Sequence, residues 1–152
     1  FSVFLNRADK LALGLNGRAI LQAAVFAEVT GDTKRAMSFL AAAEAANPRQ
    51  PAIYTTRARL LLLDHPDAAL VEAQKALVMD PSLLESRELV ADILDRLGRP
   101  TESYAVLKAG LDGRMRDPNP SGYYRHLYAV AEAHHDQQTQ DRLSGLLHRD
   151  LE

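Results

Sequence analysis

The 152-residue chain has no cysteine. That excludes disulfides and thiolate metal sites, and it leaves the compartment open. Net charge is nearly absent: 18 Lys and Arg against 20 Asp and Glu give a formal −2. There is thus no electrostatic reason to expect a nucleic-acid partner. Long apolar runs are missing. The leucine run 60–63 makes one helical turn, far short of the roughly 20 residues that span a membrane. No secretory signal pattern is visible. The chain opens on Phe1 rather than methionine, so the expectation is a processed chain or a piece of something longer. A signal or anchor upstream stays open, and with it the choice between cytoplasm and periplasm.

Catalytic motifs are absent as well. The chain has no HExxH, no GxSxG, no phosphate-cradling glycine-rich loop and no Cys/His pair. Its 5 histidines are His65, His126, His134, His135 and His148. They do not assemble the converging ligands a zinc site needs, and the adjacent His134 and His135 point to different helix faces. No catalytic residue, no metal and no cofactor is expected, and the chain reads as a non-enzyme.

What is present is helix. Hydrophobic residues make up 47% and charged residues 25%, enough for one domain with a real core. Residues 17–48 read as two alanine-rich helices around Gly31-Asp32, ending at Asn47-Pro48. The hairpin then recurs. Ala24 is followed after 34 residues by Ala58 and after a further 33 by Ala91. On the second helix the order reverses: Ala36 leads to Ala69 after 33 and to Ser103 after 34, and Ala43 leads to Ala76 and Gly110 by the same steps. One deletion explains both orders. The middle unit lacks a residue in its turn, near Asp64-His65-Pro66.

These residues resemble the tetratricopeptide repeat. The first unit matches its pattern with Ile20, Ala24, Gly31, Ala36, Ala43 and Pro48; the second with Tyr54, Ala58, Ala69, Ala76 and Pro81; the third with Ala91, Gly98, Ser103 and Gly110. Three departures stand out. Arg57 and Arg87 occupy normally apolar positions, and the third unit lacks its closing proline. The resemblance implies an all-α fold: antiparallel hairpins stacked as a short right-handed superhelix, an α-solenoid.

In chain order, residues 1–16 place Phe4, Ala8, Leu11, Ala12 and Leu15 on one helical face and read as a capping helix. A segment lying in the protein's own groove, or swapped into a neighbour, is the sharper alternative. Repeats follow at 17–48, 49–81 and 82–113. The first two end where a residue before proline leaves the helix, and Pro100 falls where a helix begins within the third. Residues 114–122 form a loop with two prolines. Residues 121–152 read as a fourth, degenerate hairpin turning at His135-Asp136-Gln137, all within a single domain, 1–152.

The resemblance also implies a concave groove lined by the first helix of each unit. It assigns Leu21, Gln22, Val25 and Glu28, then Thr55, Arg59 and Leu62, then Glu85, Glu88, Asp92 and Asp95. The acidic stripe is legible without the family, because its spacings of 3, 4 and 3 share one helix face. A solvated face eased by Arg87, Arg96 and Arg99 is the plain reading of it. A site for a basic partner segment is the functional one. A chaperone-tail carboxylate clamp is rejected, since Leu21, Val25, Thr56, Glu85 and Leu89 stand where the family carries Lys, Asn and Arg. The implied function is a non-catalytic protein-interaction module or adaptor that binds a peptide or helix. The family association is with bacterial envelope, secretion or polysaccharide-export assemblies. The alternatives are a self-associating scaffold, with a homo-oligomer possible, and a regulatory domain of a larger enzyme or membrane protein.

Overall fold

The structure is a computed structural model and describes residues 25, 26, 29–117 and 119–149. The capping helix expected over 1–16 lies outside the described residues, as do the groove positions Leu21, Gln22 and Glu28. Among the described residues there are seven helices and no strand: α1 Thr33–Ala46, α2 Pro51–Leu61, α3 Pro66–Met79, α4 Leu84–Arg96, α5 Pro100–Ala109, α6 Ser121–Ala133 and α7 Gln137–Arg149. The residues group into two compact units, Phe1–Asp80 and Pro81–Glu152.

Local chemistry sets the helix ends. Asp32 caps α1 by accepting the Arg35 N–H at 3.2 Å. Helices α2, α3 and α5 each begin on proline, whose missing N–H is not needed in a first turn. Helix α1 stops at Asn47 and α3 at Asp80, both in non-helical conformation and both followed by proline.

The turns differ, and the difference locates the deletion. After α4, Gly98 adopts φ +71°. Its N–H bonds Asp95 O, and the Arg99 N–H bonds Leu94 O, the paired closure of a Schellman turn. After α6 the same closure forms, from His135 to Glu132 and from Asp136 to Ala131, but with His135 at φ +56°. Between α2 and α3 no residue takes positive φ, and His65 N–H bonds Leu61 O instead. The middle hairpin lacks the left-handed turn residue that Gly31 and Gly98 supply in the others, in line with the expected deletion, and its first helix also ends earlier. Helix α2 has 11 residues against 13 in α4 and in α6. Pro66 fixes where α3 starts, and without a left-handed residue to close the turn α2 ends early.

In the first unit α1 packs on α2 and α2 on α3. Ala36, Phe39, Leu40 and Ala43 of α1 meet Ile53, Tyr54 and Ala76 in one core. Burying a side chain such as Leu40 contributes about 1.5–3 kcal/mol. In the second unit α4 pairs with α5, α6 pairs with α7, and α5 packs on α6. Leu84, Ala91, Leu107, Leu111, Tyr123, Leu127 and Leu143 form its core. Small residues mark the close approaches. Ala58, Ala69 and Ala76 are fully buried. Ser103 is buried too, and its hydroxyl donates to Ala91 O at 3.0 Å, tying α5 to α4.

Both arginine departures from the repeat pattern find partners. The Arg57 side chain is 13% exposed and reaches Glu44 at 2.6 Å and Glu72 at 3.2 Å, so one guanidinium joins α1, α2 and α3. It also lies 5.7 Å from the centroid of the Tyr54 ring. Burial alone would lower the Arg57 pKa, but the Glu44 and Glu72 carboxylates together hold it above its usual value. The hydrogen bond from Arg57 in turn holds Glu44 below the ordinary carboxylate range. Arg87 is buried and donates to Val106 O at 2.9 Å and to Pro81 O at 3.2 Å. One carbonyl in the last turn of α5 and one in the connection before α4 thereby gain a charged donor.

Candidate functional site

Helix α4 carries the acidic stripe on one face. Glu85, Asp92 and Asp95 are exposed, and Glu88 is half-buried. Burial pushes the Glu88 pKa up. His126 opposes that shift, while the charges of Asp92, Asp117 and Glu85 add to it. Among the described residues no ion pair engages Glu88, Asp92 or Asp95. Two of the arginines expected to ease the stripe are engaged elsewhere. Arg87 is turned into the core toward Val106 and Pro81, and Arg99 grips Glu102 with two hydrogen bonds of 2.9 and 2.6 Å.

The groove positions expected on the first unit fare differently. Val25 is 40% exposed. Arg59 and Leu62 are half-buried, with Leu62 at the end of α2. Thr55, which the resemblance assigns to the groove, is 5% exposed, and its hydroxyl donates to Ala52 O at 3.2 Å. A threonine that satisfies its own hydroxyl within the helix is buried without an orphaned donor. Neighbouring Thr56 is buried as well, and its hydroxyl oxygen accepts from Arg59 at 3.4 Å.

Sequence reasoning missed two surfaces. Val71, Gln74, Lys75, Val78 and Met79 line a shallow cleft of about 420 Å³ along α3, and Val78 is 80% exposed. Their helical spacing is visible in the sequence, but spacing does not tell an inward face from an outward one. The other is a cleft of about 380 Å³ between α6 and α7, lined by Arg125, Tyr128, Ser144, Leu147 and His148.

A polar hub joins α5 to the start of α7. Asp136 accepts from Tyr104 Oη at 2.6 Å, Lys108 Nζ at 2.9 Å, Thr139 Oγ1 at 2.8 Å and the Thr139 N–H at 3.1 Å. The Tyr104 hydrogen bond, followed by those of Lys108 and Thr139, holds the Asp136 carboxyl far below its usual range. The Tyr104 ring stacks on His134 at 4.5 Å. Among the described residues no group of three or more His, Asp or Glu converges as metal ligands, and no helix is long and apolar enough to cross a membrane.

No protein-family profile matches the chain, and no curated protein matches it. Solved structures do. The crystal structure of MamA superposes with a TM-score of 0.64 at 15% identity, over 95% of this chain and 84% of that one. A double mutant of MamA from RS-1 gives 0.64 at 16% identity, over 90% and 78%. PilF of Pseudomonas aeruginosa gives 0.60 at 16% identity, over 88% of this chain but only 60% of PilF. These neighbours are of tetratricopeptide type. At such identities the likeness is one of fold: the chain is an all-α helical repeat, an α-solenoid like MamA and PilF.

Proposed function

We propose that the chain is a non-catalytic protein-interaction module whose first helices hold a peptide or helix of a partner, and that the acidic face of α4 takes a basic segment of it. The observation that carries the reading is the fate of the arginines. With Arg87 buried and Arg99 held by Glu102, two of the three neighbouring arginines are engaged away from Glu88, Asp92 and Asp95, and Arg96 is the one that stays exposed beside them. Like charges crowded on one helix face cost stability, and a cationic partner relieves that cost on binding. On the first unit the same reading uses Val25, Arg59 and Leu62, together with Leu21, Gln22 and Glu28. Thr55, being buried, contributes only by shaping that surface. An adaptor role in a bacterial envelope, secretion or polysaccharide-export assembly follows from the family resemblance.

The test pairs the wild-type chain with a Glu88→Lys/Asp92→Lys variant. A fluorescent lysine- and leucine-containing peptide is titrated against each, and both serve as bait in a lysate of the source organism. Binding to the wild type that falls at least tenfold in the variant, and weakens with salt, supports the reading. Equal binding to both removes α4 from the site.

A further inference from the structure

The cleft between α6 and α7 has a counterpart one hairpin earlier. The step from Leu84 to Ser121 and the step from Pro100 to Gln137 are both 37 residues, and the left-handed turn residues Gly98 and His135 keep the same step. Shifted back by it, the lining residues Arg125, Tyr128, Ser144, Leu147 and His148 become Glu88, Ala91, Leu107, Gly110 and Leu111. That is the surface α6 covers. Ala91, Leu107 and Leu111 share a core with Tyr123 and Leu127. Tyr123 donates its hydroxyl to Leu107 O, against the bare Cα of Gly110. His126, also on α6, stands within electrostatic reach of Glu88. Among the described residues, the position that receives a helix in the third hairpin is an open cleft in the fourth.

Two changes in the lining constrain what fits. Leu147 replaces Gly110, so the depth that admits the Tyr123 ring is gone, and an incoming helix needs a small residue there. Arg125 replaces Glu88, so the charge is reversed, and the incoming helix needs a carboxylate where α6 carries His126. Arg125 is exposed and has no carboxylate partner among the described residues. Tyr128 and Leu147 are half-buried and supply an apolar floor.

We infer that the α6–α7 cleft is a second docking surface, built for an amphipathic partner helix that presents a small residue, an acidic residue three positions later and an apolar residue directly after it. Its charge preference is opposite to that of the α4 face, so the two surfaces select different segments.

Three fluorescent peptides of the Ser121–Ala133 sequence test this. One carries Tyr123→Ala and His126→Glu, one Tyr123→Ala and His126→Lys, and one His126→Glu alone. Each is titrated by anisotropy against the 152-residue chain and its Arg125→Glu and Leu147→Gly variants, with circular dichroism checking that each variant is folded. The first peptide is expected to bind the wild type saturably, at least tenfold more tightly than the second, with the order reversed for Arg125→Glu. The third is expected to bind the wild type at least tenfold more weakly than the first, and to recover with Leu147→Gly. The Glu88→Lys/Asp92→Lys variant is expected to bind the first peptide as the wild type does, which separates this surface from the one on α4. No saturable binding, or an unchanged preference with Arg125→Glu, overturns the inference. Self-association of the wild type that Arg125→Glu abolishes also overturns it, by making the occupant a second copy.

Discussion

Tyr123 donates its hydroxyl proton to the Leu107 carbonyl oxygen across the bare Cα of Gly110. A Cβ at 110 would lie 2.5 Å from the Tyr123 hydroxyl oxygen and 2.9 Å from Arg87 Cδ. Gly110→Ala is therefore expected to cost about 1–3 kcal/mol in urea unfolding, as overpacking does. Tyr123→Phe removes the hydrogen bond and costs about 1 kcal/mol, but it also frees that space. The double variant should then lose less than the sum of the two. Additive losses would mean that the added methyl group and the hydroxyl never meet.

Arg57→Met should cost roughly 2 kcal/mol, since it strips the charged hydrogen-bond partner from Glu44 and from the mostly buried Glu72. Arg57 holds the Glu44 pKa down. Its stabilisation is accordingly present above about pH 4, the unfolded carboxylate value, and is lost as pH falls through the depressed folded one. The penalty of Arg57→Met should shrink in acid. A penalty equal at neutral and acid pH would assign the whole effect to lost packing against Tyr54.

His135→Gly is expected to raise stability by about 1 kcal/mol. His135 sits at φ +56°, where a side chain is strained by about that amount and glycine is not. The equivalent turn after α4 already uses Gly98. Thermal unfolding of the single variant decides it; no rise in Tm would show that the ring earns its strained place through contacts.

Asp136→Asn keeps a good helix cap but removes the charge that Tyr104, Lys108 and Thr139 bind. The Asp136 carboxyl is held low in the folded chain. Its contribution is thus complete above about pH 4 and lost as pH falls through the depressed folded value. The variant should be less stable than the wild type at pH 7, and the gap should close in acid. Parallel pH profiles for the two proteins would rule this out.

Helix type, hairpin order and small-residue positions were legible in the sequence because their causes are local. Proline starts a helix, a residue before proline ends one, and alanine recurring at fixed steps lets two helices approach. The acidic face of α4 was legible for the same reason, since spacings of 3 and 4 share a face whatever the rest of the chain does.

The long side chains were not. Arg57 looked like a flaw in the repeat and is a three-helix tie, because Glu44 and Glu72 come to it from 13 and 15 residues away in the chain. Arg87 looked like a counter-ion for the stripe and lies buried against a carbonyl 19 residues away. Asp136 looked like a turn residue, yet it collects Tyr104 from 32 residues back. By itself the sequence determined the helices, their pairing and the repeat, since those follow from backbone hydrogen bonding and side-chain spacing within a turn or two. Tertiary structure alone decided which charges are neutralised and which surfaces stay open, because a flexible side chain takes its partner from whatever the packed helices bring within a few ångströms.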